Sequence, residues 1–90
     1  MNTIHKYELK GDYDKPAKAT IPAGAKILDI NFQRGDLFIW ALVDTEIKDE
    51  QEVQYEVYGT GWRIDNPEGL VHVKTIYLGD ALVWHVFVRK

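Results

Sequence analysis

The stretch AKILDINFQRGDLFIWALVD, residues 25–44, contains two apolar runs rich in strand-forming residues, separated by Arg34 and Gly35. Two residues ending in glycine suit a tight hairpin turn, with Gly35 taking positive φ. Pairing Gln33 with Asp36 then divides the hairpin into two faces, because side chains alternate along a strand. Leu28, Ile30 and Phe32 share one face with Leu37, Ile39 and Ala41. Ile27, Asp29 and Asn31 share the other with Phe38, Trp40 and Leu42. The first face reads as core, while the second is half apolar and calls for a partial cover. Arg34, Gly35 and Asp36 spell the integrin-binding tripeptide, but their position between two strands reads as a turn.

Outward from this hairpin, short strands alternate with turn signals, the pattern of a sandwich or small barrel. Thr3 to Leu9 predicts a first strand, followed by a polar turn from Lys10 to Pro16. Ala17 to Ile21 predicts a second strand, and Pro22 places it at a sheet edge because proline cannot donate to a central ladder. Thr45 to Gln51 is charged and poor in strand formers, which reads as a surface loop or a single helical turn. Glu52 to Tyr58 alternates, with Val53, Tyr55 and Val57 on one side and Gln54 and Glu56 on the other. A polar loop follows, from Arg63 to Gly69. Leu70 to Leu78 and Ala81 to Val88 predict a second hairpin around Gly79 and Asp80. Pairing Leu78 with Ala81 puts Trp84, Val86 and Val88 on one face with Val71, Val73, Thr75 and Tyr77. His72, Lys74 and Ile76 then join Val83, His85 and Phe87 on the other. No helix has a convincing start or stop signal. The expected fold is all-β, a small antiparallel β-sandwich or partly open barrel of about seven short strands, in a single domain over residues 1–90.

Composition narrows the chemistry. The 90 residues are 46% hydrophobic and 28% charged, an ordinary globular balance, and the net charge of −3 comes without a basic block. General binding to the phosphate backbone of nucleic acid is therefore not expected. The longest apolar run, Leu37 to Val43, is far short of the roughly 18 residues a membrane span needs. The N-terminus lacks the apolar core of a signal peptide, so a cytoplasmic location is expected. The chain has no cysteine and no serine. That excludes a disulfide framework, a thiolate metal site and the common nucleophiles of covalent hydrolases. The carboxylates lie in turns and at strand ends, and their spacing singles out no acid–base pair, so no catalytic residue and no cofactor is predicted.

Three features remain as candidate sites. The run Tyr58-Gly59-Thr60-Gly61-Trp62-Arg63 combines exposed amides, two aromatic rings and a cation. It suits a small anionic ligand of the nucleotide type, or else a turn whose Trp62 folds back to cap the core. Phe38 and Trp40 lie on the half-apolar hairpin face, where an uncovered aromatic patch would mark a protein interface or a homo-oligomer contact. His72 and His85 fall on one face as diagonal neighbours, roughly 7–8 Å apart at the backbone. That is long for a shared metal ion, and no histidine has local ligand spacing, so no metal is predicted, while a metal-dependent or enzymatic site at His72 and His85 stands as a further alternative.

Five blocks carry a resemblance across nearly the whole chain: Ile4 to Tyr7, Pro22 to Leu28, Trp40 to Asp44, Tyr58 to Gly61, and Leu82 to Phe87. Together they resemble a family of short proteins found in tailed bacteriophages and prophages. The resemblance implies a phage setting, hence the cytoplasm of an infected bacterium, and it supplies no site residues. In that setting, small proteins without catalytic apparatus often bind a host factor or sequester a signalling molecule.

Overall fold

The computed structural model describes residues 1–11 and 16–90. Seven strands follow one another: β1 (Asn2–Glu8), β2 (Ala17–Pro22), β3 (Lys26–Gln33), β4 (Asp36–Asp44), β5 (Glu50–Gly59), β6 (Leu70–Leu78) and β7 (Leu82–Arg89). They form a three-stranded sheet, β1-β4-β3, and a four-stranded sheet, β2-β5-β7-β6, with antiparallel neighbours throughout. This is the small antiparallel sandwich expected from the sequence, and the two sheets stay separate rather than closing into a barrel. No helix of the described residues is long and apolar enough to cross a membrane. Of the expected polar turn from Lys10 to Pro16, residues 12–15 lie outside the described residues.

The inner faces meet in one core. Ile21, Ile30, Ile39, Val43 and Val86 are fully buried, with Leu9, Leu37, Tyr55 and Ile76 nearly so. One side of the sandwich is closed where the chain leaving β1 pairs with β2, through reciprocal 2.9 Å backbone bonds between Lys10 and Lys18. The other side is tied by Lys74 of β6, whose Nζ donates to Asp29 Oδ1 at 2.7 Å and to the Ile30 carbonyl at 2.9 Å on β3. Pro22 ends β2 at a sheet edge, as its missing N–H requires.

The first hairpin has the expected register. Gln33 pairs with Asp36, and both central residues take positive φ, 53° at Arg34 and 84° at Gly35. That is a type I′ turn, whose twist matches the flanking strands. The expected placement of Leu28 on the core face does not hold. The register shifts between Ile27 and Asp29, so Ile27 pairs with Ala41 and packs against the core, while Leu28 is left 47% exposed. A bulge inserts one residue and exchanges the faces beyond it.

The second hairpin is one residue longer in its loop than expected. Leu78 pairs with Leu82 rather than Ala81, leaving Gly79, Asp80 and Ala81 as the turn. A one-residue slip moves every side chain to the other face. Ile76 and Lys74 therefore join Trp84 and Val86 on the inner side, while Thr75 and Tyr77 join His85 and Val83 outside. Burial explains the choice, since Ile76 enters the core and Tyr77 is 73% exposed. A second bulge, between His72 and Lys74, returns His72 to the outer face opposite Phe87. Residues 45–49 contain no helical turn, and β5 begins at Glu50, two residues before the expected start.

Candidate functional site

β4 is the central strand of its sheet, and its alternation separates core from surface residue by residue. Leu37, Ile39, Ala41 and Val43 are buried, and Phe38, Trp40 and Leu42 point away from them. Phe38 and Trp40 are half-buried, with ring centroids 6.4 Å apart. Ile4 and Leu42, directly paired, extend the apolar surface and are 55% and 40% exposed. Charges frame it. Lys6, opposite Trp40 on β1, places its Nζ 4.6 Å from the Phe38 ring centroid and donates to Gln33 Oε1 at 3.0 Å. Asp29 lies opposite Trp40 on β3, and the hydrogen bond from Lys74 holds its carboxyl below the usual carboxylate range. Glu8 and Asn31 flank Phe38. Phe38 and Trp40 thus stand at the centre of a sheet face over which, among the described residues, no other strand lies.

The Tyr58–Arg63 run does not converge on one point. Gly59 to Trp62 is a tight turn, with Trp62 N donating to the Gly59 carbonyl at 3.0 Å and Gly61 at φ 87°. Thr60 N donates to the Val83 carbonyl at 3.3 Å. Two of the amides expected to cradle an anion are therefore spent within the fold. Arg63 pairs with Asp65 at 2.6 Å, both largely in solvent. Tyr58 and Thr60 face outward, where the Tyr58 hydroxyl donates to Glu56 Oε1 at 2.7 Å. Trp62 folds back over the end of the sheet with its side chain still 44% exposed. Its indole lies on Gly59, where an added Cβ would sit 2.7 Å from Nε1, so only glycine leaves it room.

There Trp62 meets Trp84 edge to face at 5.1 Å, and Phe32 lies 6.2 Å from Trp84. The three rings, with Leu9, Val57 and Asp36, line a cleft of about 450 Å³ at one end of the sandwich. Sequence reasoning found Trp62 but not Phe32 or Asp36, since they come from the other sheet. No local signal announced the meeting, because Gly59 comes to lie opposite Trp84 only through the long-range pairing of β5 with β7.

The outer face of the four-stranded sheet carries a polar network. His72 Nε2 lies 2.9 Å from Thr75 Oγ1, which lies 3.2 Å from His85 Nδ1. His85 Nε2 in turn lies 2.8 Å from Thr60 Oγ1. The two histidines share a face as expected, with Thr75 between them. Phe87 packs edge-on against His72 and Tyr58 at 5.5 and 6.0 Å. Beside them, Arg89 clamps Glu56 through Nε at 2.6 Å and Nη2 at 2.9 Å, and donates to the carbonyls of Glu68 and Asn66. Arg89 holds the Glu56 carboxyl below its ordinary range, and the Glu56 carboxylate in turn raises the Tyr58 hydroxyl. Among the described residues no group of three or more His, Asp or Glu side chains is placed to hold a metal ion.

No curated protein and no solved structure matches the chain. One family model does, over residues 1–90, and by that match the chain belongs to the family described as Domain of unknown function (DUF7352).

Proposed function

We propose that this domain is a non-enzymatic binding module of a bacteriophage, acting in the cytoplasm of the infected bacterium. It engages a host protein, one of the defence apparatus, through the aromatic face around Phe38 and Trp40. The observation that carries this reading is the outer side of β1-β4-β3, where two aromatic rings and exposed Ile4 and Leu42 form one continuous apolar surface. Large apolar side chains enriched in Trp, with charge at the rim, are what binding hot spots are made of. The test is recovery of a stoichiometric host protein from bacterial lysate on the immobilised domain. Trp40→Ala is expected to lose that protein while still folding with a cooperative thermal transition. Retention of the same protein by the variant would overturn the reading.

A second reading is favoured by the cleft. Trp62, Trp84 and Phe32 offer aromatic surface on which the planar base of a nucleotide-type ligand would stack, so the domain would sequester such a ligand. Stacking alone carries this reading, since Asp36 lines the cleft and Arg63 is paired with Asp65 outside it. A thermal-shift panel of linear and cyclic nucleotides tests it. Stabilisation that Trp62→Ala removes supports the sponge, and a flat panel ends it.

A further inference from the structure

The cleft at the end of the sandwich is walled by rings inclined to one another. Trp62 stands at 89° to Trp84 and Phe32 at 44° to it, with centroids 5.1 and 6.2 Å away. Leu9 and Val57 add apolar lining, and the volume of about 450 Å³ falls in the range of small-molecule sites. Among the described residues, Asp36 is the only charged residue of the lining. We infer that this cleft takes a flat, uncharged heteroaromatic molecule, a nucleobase or its nucleoside, and disfavours the same base once it carries phosphate. The inference rests on the stacking reading of the cleft and narrows it: the base supplies the affinity and each phosphate subtracts from it.

The ring geometry suits a planar guest. In an edge-to-face pair one ring gives its edge and the other receives it. A base laid parallel to the first ring stacks on it and turns its own edge to the second, so both contacts are of favoured kinds. A phosphate has different needs, because it binds where cations or free backbone amides converge. The donors that the sequence offers for this are spent or lie elsewhere. Thr60 N is bonded to the Val83 carbonyl and Trp62 N to the Gly59 carbonyl. Arg63 is paired with Asp65, and neither it nor Arg34, beside Gly35 at the rim, lines the cleft. Asp36 adds a charge of the same sign as phosphate, and repulsion between like charges reaches over several ångströms. The net charge of −3 on the whole chain has that sign too. A neutral base escapes this repulsion and keeps the full gain of stacking.

The experiment titrates the purified chain with adenine, adenosine, AMP and ATP, and with the guanine series, following tryptophan emission excited where the bases do not absorb. Base and nucleoside are expected to give saturable quenching. The monophosphate should bind about threefold or more weakly than its nucleoside, and the triphosphate more weakly again. Asp36→Asn should narrow that gap and Asp36→Lys should close or reverse it, with nucleoside affinity little changed. Trp62→Ala should remove saturable binding of every member, with Trp84 left as the reporter, and melting curves check that each variant folds. A monophosphate that binds as tightly as its nucleoside, or more tightly, overturns the inference and leaves the stacking reading standing. An order of affinities that Asp36→Lys does not alter overturns it as well. A panel in which nothing binds, or quenching that Trp62→Ala leaves in place, removes the inference and the stacking reading together.

Discussion

The outer faces of the two sheets are built to opposite ends. On β2-β5-β7-β6 the outward side chains between β5 and β6 are largely paired with one another, beside an exposed Tyr77: His72, Thr75, His85 and Thr60 form one chain of hydrogen bonds, and Glu56 binds Arg89 and Tyr58. On β1-β4-β3 the central outward side chains are Phe38, Trp40 and Leu42, which have no polar groups to pair except the indole N–H. A face whose polar groups are already partnered gains little from a new neighbour, because each contact must replace one already made. An apolar face left in water gains from any partner that covers it. The difference is why the proposed binding surface is placed on the second face and not on the first.

The sharpest way to break this comparison is on β4 itself. Ile39→Ala empties a fully buried site and is expected to cost about 3 kcal/mol, a large part of the stability of so small a domain. Trp40→Ala, one residue on and facing out, should cost roughly 1 kcal/mol or less by denaturant titration while abolishing association. Equal losses for the two would mean that the outer face belongs to the core. On the other sheet, Glu56→Gln removes the charge from the Arg89 clamp and should lower the melting temperature by only a few degrees.

The same variant tests a pH effect. Glu56 has a lowered folded pKa, so its contribution is complete above its unfolded value of about 4.3 and is lost as pH falls through the folded value. Wild type should therefore lose stability below about pH 4 more steeply than Glu56→Gln. Asp29 and Asp44, also held low, preserve part of the acid limb in the variant. Identical limbs in a pH series of melts would remove Glu56 from the account. Gly59→Ala should push the Trp62 indole off its backbone seat and shift tryptophan emission, at a cost of about 1 kcal/mol. The smallest effect is expected at Arg34, a non-glycine residue in left-handed conformation. Arg34→Gly should stabilise the hairpin by about 0.5 kcal/mol and leave both faces as they are.

Much of this was legible before any coordinates. Gln33 opposite Asp36, the edge position of β2 and the outward Phe38 and Trp40 all follow from alternation and turn chemistry. The expectations that failed did so at two places where alternation is interrupted. Leu28 left the core face because of a bulge that no residue type announces. Thr75 and Tyr77 changed faces because the Gly79 turn has three residues rather than two, and glycine suits either length. The Tyr58–Arg63 run was legible as a turn with Trp62 folding back, but not as three separate destinations.

Composition, alternation and turn residues thus determined an all-β chain, its strands and which side of β4 is core, because these depend on neighbours one or two residues away. Only the tertiary structure decided that Lys74 ties the sheets through Asp29, that Trp62 meets Phe32 and Trp84, and that Lys6 and Asp29 flank Trp40. Each of those contacts joins segments distant in sequence, and their geometry is set by how β1 and β3 register on β4 and how the two sheets pack. The physical reason is that local preferences choose a face for each residue, while long-range packing chooses what that face meets.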